Sequence, residues 1–355
     1  MKKTKIVLVL ALVLTLLSGC VQTQPAGLQS FGSEETKKAF WEGSWFYIEP
    51  IQVEHGEDRV IEWADEGMEA RVRFWLDKPE GEIYASDIWN IQVIHISYGT
   101  DYDVILEEVP DGYDCFSLAS IQFIEDQRMY LDGTDLPEIR NLEDLRYFDS
   151  LQSLQISYYD WEEPVKIDLP YLAECQHLRA LRLEKVHLDD LKLISQIPQL
   201  DWLDLSFCSI QDLSPLESCS KLYNLQLSDC EIASLEPIAN MPQLQSLSLD
   251  CSTYPSLEPL AESNIRFLTL FSDENGRNDY DELDYEPLTR MKQLWYLDLT
   301  NHSKADLSLC SRLVESCPEL AFLDITYTEA AEEIKAGATL DVSGLKGFDC
   351  KPYSN

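Results

Sequence analysis

Apolar residues recur along this chain in one short motif, apolar-x-x-apolar-x-apolar. Copies separated by 22 residues begin at Leu178, Leu200, Leu222 and Leu244. The motif continues at wider or looser intervals from Ile265, Leu294 and Leu320, and upstream from Ile91, Leu118 and Leu151. Alternating apolar residues are typical of a β-strand with one buried face. A strand that returns at a fixed interval predicts stacked rungs that share one core.

Each 22-residue unit also has an apolar second half, which predicts a turn that returns along the opposite side. Two examples are Ile210-Gln-Asp-Leu-Ser-Pro-Leu and Ile232-Ala-Ser-Leu-Glu-Pro-Ile. These units resemble the leucine-rich repeat of the internalin-like bacterial class, which has a Pro before the convex apolar residue. The resemblance implies an α/β solenoid with a parallel β-sheet on its concave face. An unrelated α/β domain rich in leucine is the alternative.

The segment before the repeats contains a predicted helix between Asp65 and Asp77. Met68, Val72 and Trp75 fall at helical intervals, and Pro79 follows. The stretch is similar to the helical cap that precedes the repeats in exported proteins of Gram-positive bacteria. We therefore expect an N-terminal segment with a helical cap at 39–90 and repeats at 91–326. A C-terminal tail, 327–355, is expected to cover the last rung through Leu345 and Phe348.

The start of the chain reads as an export signal. Lys2, Lys3 and Lys5 precede an apolar run that is too short for a comfortable transmembrane helix. The sequence Leu17-Ser18-Gly19-Cys20 resembles the bacterial lipobox, which implies a lipoprotein signal at 1–19 and lipidation of Cys20. Residues 20–38 are polar and predict a flexible tether. The expected location is the outer side of the bacterial cytoplasmic membrane; an ordinary signal peptide is the alternative.

The chain is strongly acidic, with 27 Lys plus Arg, 64 Asp plus Glu and a formal net charge of −37. Such a surface repels nucleic acid and anionic headgroups, so nucleic-acid binding is excluded. Acidity can simply keep an exported protein soluble. It also fits a partner that is neutral or cationic, bound by a monomer.

The ten cysteines do not follow a disulfide pattern. Cys208 and Cys230 occupy the repeat position that usually holds Asn, while Cys175, Cys219 and Cys317 share a second column. We expect buried thiols in both columns. Adjacent rungs lie about 4.8 Å apart, so a Cys208–Cys230 disulfide is within reach.

Two columns of side chains are expected to point out of the concave face. The first contains Val93, Ser120, Ser153, Ala180, Trp202, Asn224, Ser246, Phe267, Tyr296 and Phe322. The second contains His95, Gln122, Gln155, Arg182, Asp204, Gln226, Ser248, Thr269, Asp298 and Asp324. Exposed aromatic rings beside carboxylates are typical of interaction surfaces for cationic partners. The predicted partner-binding residues are therefore Trp202, Asp204, Phe267, Phe271, Tyr296, Asp298, Phe322 and Asp324. Packing of these rings on loops or on the C-terminal cap is the alternative.

No motif of an enzyme accompanies these repeats. The sequence contains no G-x-S-x-G, no H-E-x-x-H and no phosphate-binding glycine loop. The acidic insertion at 273–282 departs from EF-hand spacing and predicts a solvated loop, with a calcium site as the alternative. We expect no catalytic residue, cofactor or metal. The predicted function is protein–protein recognition by the concave face; carbohydrate or cell-wall binding and a purely structural surface role are the alternatives.

Overall fold

A computed structural model describes residues 51–98 without 52, 103–107, 137, 139–158, 165–166, 169–188, 190–210, 212–272 and 283–352. The predicted signal, Cys20, the tether and the 273–282 loop lie outside these ranges. No helix among the described residues is long and apolar enough to cross a membrane.

The described chain folds around one long, mostly parallel sheet of short strands. The strands are β1 (Val93–Tyr98), β2 (Asp103–Glu107), β3 (Ser153–Tyr158), β4 (Val165–Lys166), β5 (Ala180–Glu184), β6 (Val186–His187), β7 (Trp202–Asp204), β8 (Asn224–Gln226), β9 (Ser246–Ser248), β10 (Phe267–Thr269), β11 (Tyr296–Asp298), β12 (Phe322–Asp324) and β13 (Gly347–Asp349). The sheet order is β13-β12-β11-β10-β9-β8-β7-β5-β3-β1-β2, while β4 and β6 form a separate pair. All neighbours in the sheet are parallel except β1 and β2.

The strand register confirms both concave columns from β7 to β12. Trp202 pairs with Asn224, and the next partners are Ser246, Phe267, Tyr296 and Phe322. Leu203 and its equivalents point the other way and are completely buried. Parallel strands that bury leucine in every rung, with short helices behind them, form a leucine-rich-repeat solenoid.

One predicted rung, the unit beginning at Leu118, is wrong. Strand β1 pairs directly with β3, with Val93 opposite Ser153, so no strand lies between them. The chain instead continues from β1 into the antiparallel β2. Residues Ser120 and Gln122, which the sequence placed in the concave columns, lie outside the described residues.

Short helices line the side behind the sheet. The 3-10 helices are Ala85–Asp87, Glu143–Tyr147, Pro170–Glu174, Ile194–Gln196, Ser214–Ser218, Glu258–Leu260 and Glu286–Arg290, and the α-helices are Glu66–Trp75, Glu236–Ala239, Leu307–Ser316 and Glu329–Lys335. Several begin with a Pro in the first turn, among them Pro215, Pro237 and Pro287. Proline fits there because its φ is already helical and the missing N–H would have no partner inside the helix.

Six rungs leave their strands through a residue in the left-handed region. These residues are Lys185, Phe207, Asp229, Cys251, Asn301 and Tyr327, with φ between 54° and 64°. Their N–H groups donate to carbonyls of the following rung at 2.6–3.1 Å. A positive φ is unfavourable for residues other than glycine, so these inter-rung hydrogen bonds must outweigh that strain at every turn.

In four of these rungs, the residue after the left-handed turn points into the core and donates to a carbonyl of the preceding rung. Cys208 Sγ lies 3.3 Å from the Leu183 carbonyl, and Cys230 Sγ lies 3.0 Å from that of Leu205. The Ser252 hydroxyl and His302 Nε2 make the equivalent bonds to Leu227 and Leu270. The sequence position predicted for small buried groups is thus a ladder of side-chain donors.

The ladder groups are held neutral by burial. Burial raises the pKa of the Cys208 and Cys230 thiols to about 12. It lowers the pKa of His302 to about 4, while the Tyr285 hydroxyl contacts His302 Nδ1 at 2.7 Å. The cysteines of the described residues are free thiols, and Cys317 in the second column also lies against a backbone carbonyl, that of Leu288.

The helix predicted near Asp65 is confirmed at Glu66–Trp75. Its N-cap Asp65 accepts from the Met68 N–H at 2.9 Å and also from the N–H groups of Arg140 and Asn141. The buried Asp144 accepts from the Ala64 and Asp65 N–H groups in return. These bonds connect the N-terminus of the helix to the segment that leads into β3. The role of this helix as a cap for the first rung stays a prediction.

The C-terminal tail adds a rung to the sheet. Leu345 is buried in the core, and Phe348 packs against it, as the sequence predicted. The tail goes further than expected, because β13 pairs with β12 and places Asp349 beside Asp324.

The donor ladder predicts a difference between two substitutions of equal shape at Cys230. Cys230→Thr keeps a donor, a hydroxyl as at Ser252 in the next rung, whereas Cys230→Val leaves the Leu205 carbonyl with only the Cys208 N–H, at 3.3 Å. A hydrogen bond of this kind contributes about 0.5–1.5 kcal/mol to stability. We therefore expect the Val variant of the full chain to be less stable than the Thr variant by about 1 kcal/mol in urea unfolding. Equal midpoints for the two variants would contradict a stabilising role for the ladder.

Candidate functional site

The C-terminal half of the concave face carries three parallel rows of side chains across β10 to β13. The entry row, just before the strands, contains Arg266, Trp295, Ala321 and Lys346. The ring row contains Phe267, Tyr296 and Phe322. The acidic row contains Asp298, Asp324 and Asp349. We call these rows together the C-terminal concave surface.

The prediction that the aromatic residues of the concave column are exposed is wrong. The exposed fractions are 4% for Trp202, 6% for Phe267, 2% for Tyr296 and 4% for Phe322. From β10 to β12, parallel register places Phe267, Tyr296 and Phe322 on neighbouring strands about 4.8 Å apart, so these three rings cover one another. Phe271, which follows β10, is exposed as expected, at 38%. Whether any of these residues contacts a partner remains a prediction.

Trp295 covers the ring row and is itself only half-buried. Its ring centroid lies 5.2 Å from that of Phe267 and 4.6 Å from that of Phe322, with tilted planes. Ala321, the next residue of the entry row, is buried, and the small side chain leaves room for the indole. Trp295 is therefore the aromatic residue that this surface presents to solvent.

Two cations flank the indole. The Arg266 guanidinium lies 5.9 Å from the Phe267 ring, and the Lys346 ammonium lies 5.9 Å from the Trp295 ring. Neither side chain forms a hydrogen bond or ion pair with a described residue. Four other arginines of the solenoid are paired: Arg179 with Asp201, Arg182 with Asp204, Arg290 with Glu258 and Arg312 with Glu286. Arg266 and Lys346 differ from these arginines in having no carboxylate partner among the described residues, although the chain is rich in carboxylates.

The neighbouring carboxylates of the acidic row repel one another. Asp298 and Asp324 are half-buried register partners, and each accepts from a backbone N–H two residues later, those of Thr300 and Thr326, at 2.8 Å. Burial and the neighbouring Asp324 carboxylate raise the pKa of Asp298 well above its ordinary range. Burial also raises the pKa of Asp324. A cation placed against these carboxylates would relieve both effects.

Asp250 extends the acidic side onto the preceding rung. Its carboxylate accepts from the Phe271 N–H at 3.0 Å and from the Ser248 hydroxyl at 2.9 Å. Burial raises the pKa of Asp250 as well. The exposed Phe271 ring is thus anchored through its backbone to the acidic side of the surface.

The N-terminal half of the concave face is polar and internally paired. Asp204 lies 3.2 Å from the Arg182 guanidinium and accepts from the Ser206 N–H at 3.0 Å. His95, in the same row on β1, is buried, and its pKa is lowered to about 4 by burial and by Arg182. The Asp204 carboxylate is therefore neutralised by an ion pair within the fold, and it is not part of the acidic row of the C-terminal half.

The sequence analysis missed Arg266, Trp295 and Lys346. The signal was present, because each stands one residue after an apolar residue that opens a repeat: Ile265, Leu294 and Leu345. These three residues lie just before their strands, where the alternation of side chains between the two faces of a strand does not predict their direction. Asp349 was missed because its strand lies in the segment assigned to the tail.

The described residues contain no group of three or more His, Cys, Asp or Glu side chains that could hold a metal ion. The alternative of a calcium site at 273–282 concerns residues outside the described ranges and stays open.

Comparisons with known proteins give remote likenesses. No family model matches this chain, and no curated protein is similar to it at a significant level. Among solved structures, an internalin (inlF) from Listeria monocytogenes is 19% identical, with a TM-score of 0.48, over 74% of this chain and 69% of that one. Internalin C2 (inlC2) from the same species is 17% identical, with a TM-score of 0.42, over 66% and 93%. TLR13, solved in complex with ssRNA13, is 21% identical, with a TM-score of 0.36, over 52% of this chain and 30% of that one.

The acidic row predicts a pH-dependent gain in stability for Asp298→Asn. A raised pKa means that the folded state binds the proton more tightly than the unfolded state, where the ordinary value is 3.8. The wild type therefore loses stability as the pH rises from the unfolded pKa of 3.8 to the folded pKa of about 8, and the variant with the neutral amide does not. We expect the variant to be more stable by on the order of 1–2 kcal/mol at pH 9 and by little at pH 4.

Asp341→Asn is the matched control for this measurement. A hydrogen bond with Ser343 lowers the pKa of the exposed Asp341, so its amide should give no gain at pH 9. Urea unfolding of the full-length variants at both pH values checks the pair. An Asp298→Asn gain that is the same at pH 4 and pH 9 would show that charge repulsion is not its cause.

Proposed function

We propose that this chain is a lipid-anchored recognition protein that binds another protein through the C-terminal concave surface. The observation that supports this proposal is the half-exposed Trp295, which packs on the ring row between two cations that have no ionic partner in the described part of the chain. Aromatic residues and Arg are enriched where proteins bind one another. A supported ring also loses little conformational freedom on binding, because its neighbours already fix it.

The substitution Trp295→Ser tests this surface. Removing the indole takes away the central contact and should reduce capture of a binding partner from cell-envelope fractions by at least about tenfold, as expected for a central interface residue. Phe74→Ser is the control, because Phe74 is also an exposed ring but lies on the helix Glu66–Trp75. Capture is quantified by cross-linking to the full-length protein and mass spectrometry, with thermal unfolding as a check on folding.

The outcomes separate the candidate functions. Loss of the same captured proteins with Trp295→Ser but not with Phe74→Ser supports recognition by this surface. Equal capture by both variants contradicts it. Binding that depends on Trp295 but survives protease treatment of the envelope fraction would favour a carbohydrate ligand, since indole rings also stack well on sugars.

Anchoring at Cys20 is the second part of the proposal, and it is supported by the sequence Leu17-Ser18-Gly19-Cys20 after a short apolar run. Two acyl chains give stable membrane attachment where one gives only reversible binding. We expect Cys20→Ala to move the protein from the membrane fraction to the medium, or to leave it uncleaved, with unchanged thermal unfolding. A Cys251→Ala variant, which keeps the motif, should stay in the membrane fraction. Membrane retention of an unlipidated, cleaved Cys20→Ala protein would overturn the anchor.

A further inference from the structure

The C-terminal concave surface is bipolar. Its entry row ends in the cations Arg266 and Lys346, and its acidic row contains Asp298 and Asp324, with Trp295 and the ring row between them. Trp295 stands just before β11, and Asp298 is the last residue of that strand. Because a strand rises about 3.3 Å per residue, the backbone positions of the two rows lie about 10 Å apart.

The two charged rows are presented independently of one another. Arg266 and Lys346 contact rings and have no carboxylate partner among the described residues, although the whole chain has a net charge of −37. Asp298 and Asp324 accept from backbone N–H groups and face each other, and Lys351 is the cation that acts on Asp324. Among the residues that the structure describes, neither row pairs with the other, so each can meet a group of opposite charge from a partner.

We propose that this surface binds a polypeptide segment that carries an acidic and a basic side chain about 10 Å apart. The acidic group lies against Arg266 or Lys346, which flank the row on β10 and β13, the basic group lies against Asp298 and Asp324, and the part between them covers Trp295. This inference rests on the proposed recognition function and specifies the partner of that same surface. Charge complementarity of this kind determines which partner is accepted and in which direction it lies.

A polypeptide fits better than the other macromolecules. An extended chain places side chains of one face about 7 Å apart at i and i+2 and about 13 Å apart at i and i+4, which brackets the distance between the rows. Nucleic acid carries negative charge only, so the acidic row would repel it. A neutral polysaccharide would leave both charged rows desolvated and unpaired, which is unfavourable.

The test uses fluorescent ten-residue peptides of Thr and Ser that contain two charged residues at i and i+2 or at i and i+4. The pairs are Glu/Lys, Lys/Glu, Glu/Glu and Lys/Lys, and binding to the full-length protein is measured by anisotropy at low salt. Overall charge alone predicts that Lys/Lys peptides bind best to this acidic protein. The bipolar surface predicts instead that one mixed order binds at least about tenfold more tightly than either like-charged pair.

Charge reversal of the entry row makes the test specific. The double variant Arg266→Glu with Lys346→Glu should shift the preference to Lys/Lys peptides. Its matched control, Arg290→Glu with Lys335→Glu, makes the same change in net charge on helices behind the sheet and should keep the preference for the mixed pair. Arg266 and Lys346 are at the surface and form no ion pair with another described residue, so the first variant should fold, which circular dichroism checks.

Each outcome decides the inference. A mixed-pair preference that only the entry-row variant converts to Lys/Lys supports it. Strongest wild-type binding to Lys/Lys, absence of binding to every peptide, or equal effects of the two double variants overturns it. If the inference fails while Trp295→Ser still loses its captured proteins, recognition by this surface stands and only the bipolar partner is wrong.

Discussion

The hydrogen bonds that close each turn set the register on which the rest of this solenoid depends. A left-handed residue donates its N–H to the following rung, and the next side chain donates to a carbonyl of the preceding rung. Four rungs, those of Cys208, Cys230, Ser252 and His302, are therefore held from both sides at the same point. The 29-residue interval before Leu294 is accommodated without loss of register, since Phe267 still pairs with Tyr296.

The parallel register of the strands produces both the favourable apolar contacts and the unfavourable charge repulsion of the concave face. Equivalent positions stack, so phenylalanine and tyrosine rings bury one another along β10 to β12. Equivalent carboxylates also stack, and there the proximity is unfavourable, as the raised pKa of Asp298 shows. The stacking of equivalent positions thus causes both the apolar contacts and the like-charge repulsion. The repulsion lies in the acidic row, where a cationic group of a partner could relieve it.

Much of this architecture was predictable because the spacing of the leucines determines which residues are equivalent in neighbouring rungs. The concave columns from Trp202 to Phe322, the helix near Asp65 and the donor positions of Cys208 and Cys230 all follow from counting residues. Exposure did not follow, since it depends on how neighbouring rungs cover one another. Trp295 and Lys346 fall before their strands, where alternation gives no direction. The unit at Leu118 satisfied the apolar pattern but was not a rung, because pairing of β1 with β3 is decided by non-local contacts.

The ladder also bears on the chemical durability of the protein. Oxidants and disulfides react with the thiolate form of cysteine. With a pKa of about 12, Cys208 and Cys230 are ionised to roughly one part in 10⁵ at neutral pH. Asparagine at these positions would be inert from the start. Here an equivalent resistance arises from burial, so that the thiols can serve as donors for as long as their rungs stay closed. Local opening of a turn would therefore expose a donor and a reactive nucleophile in the same event.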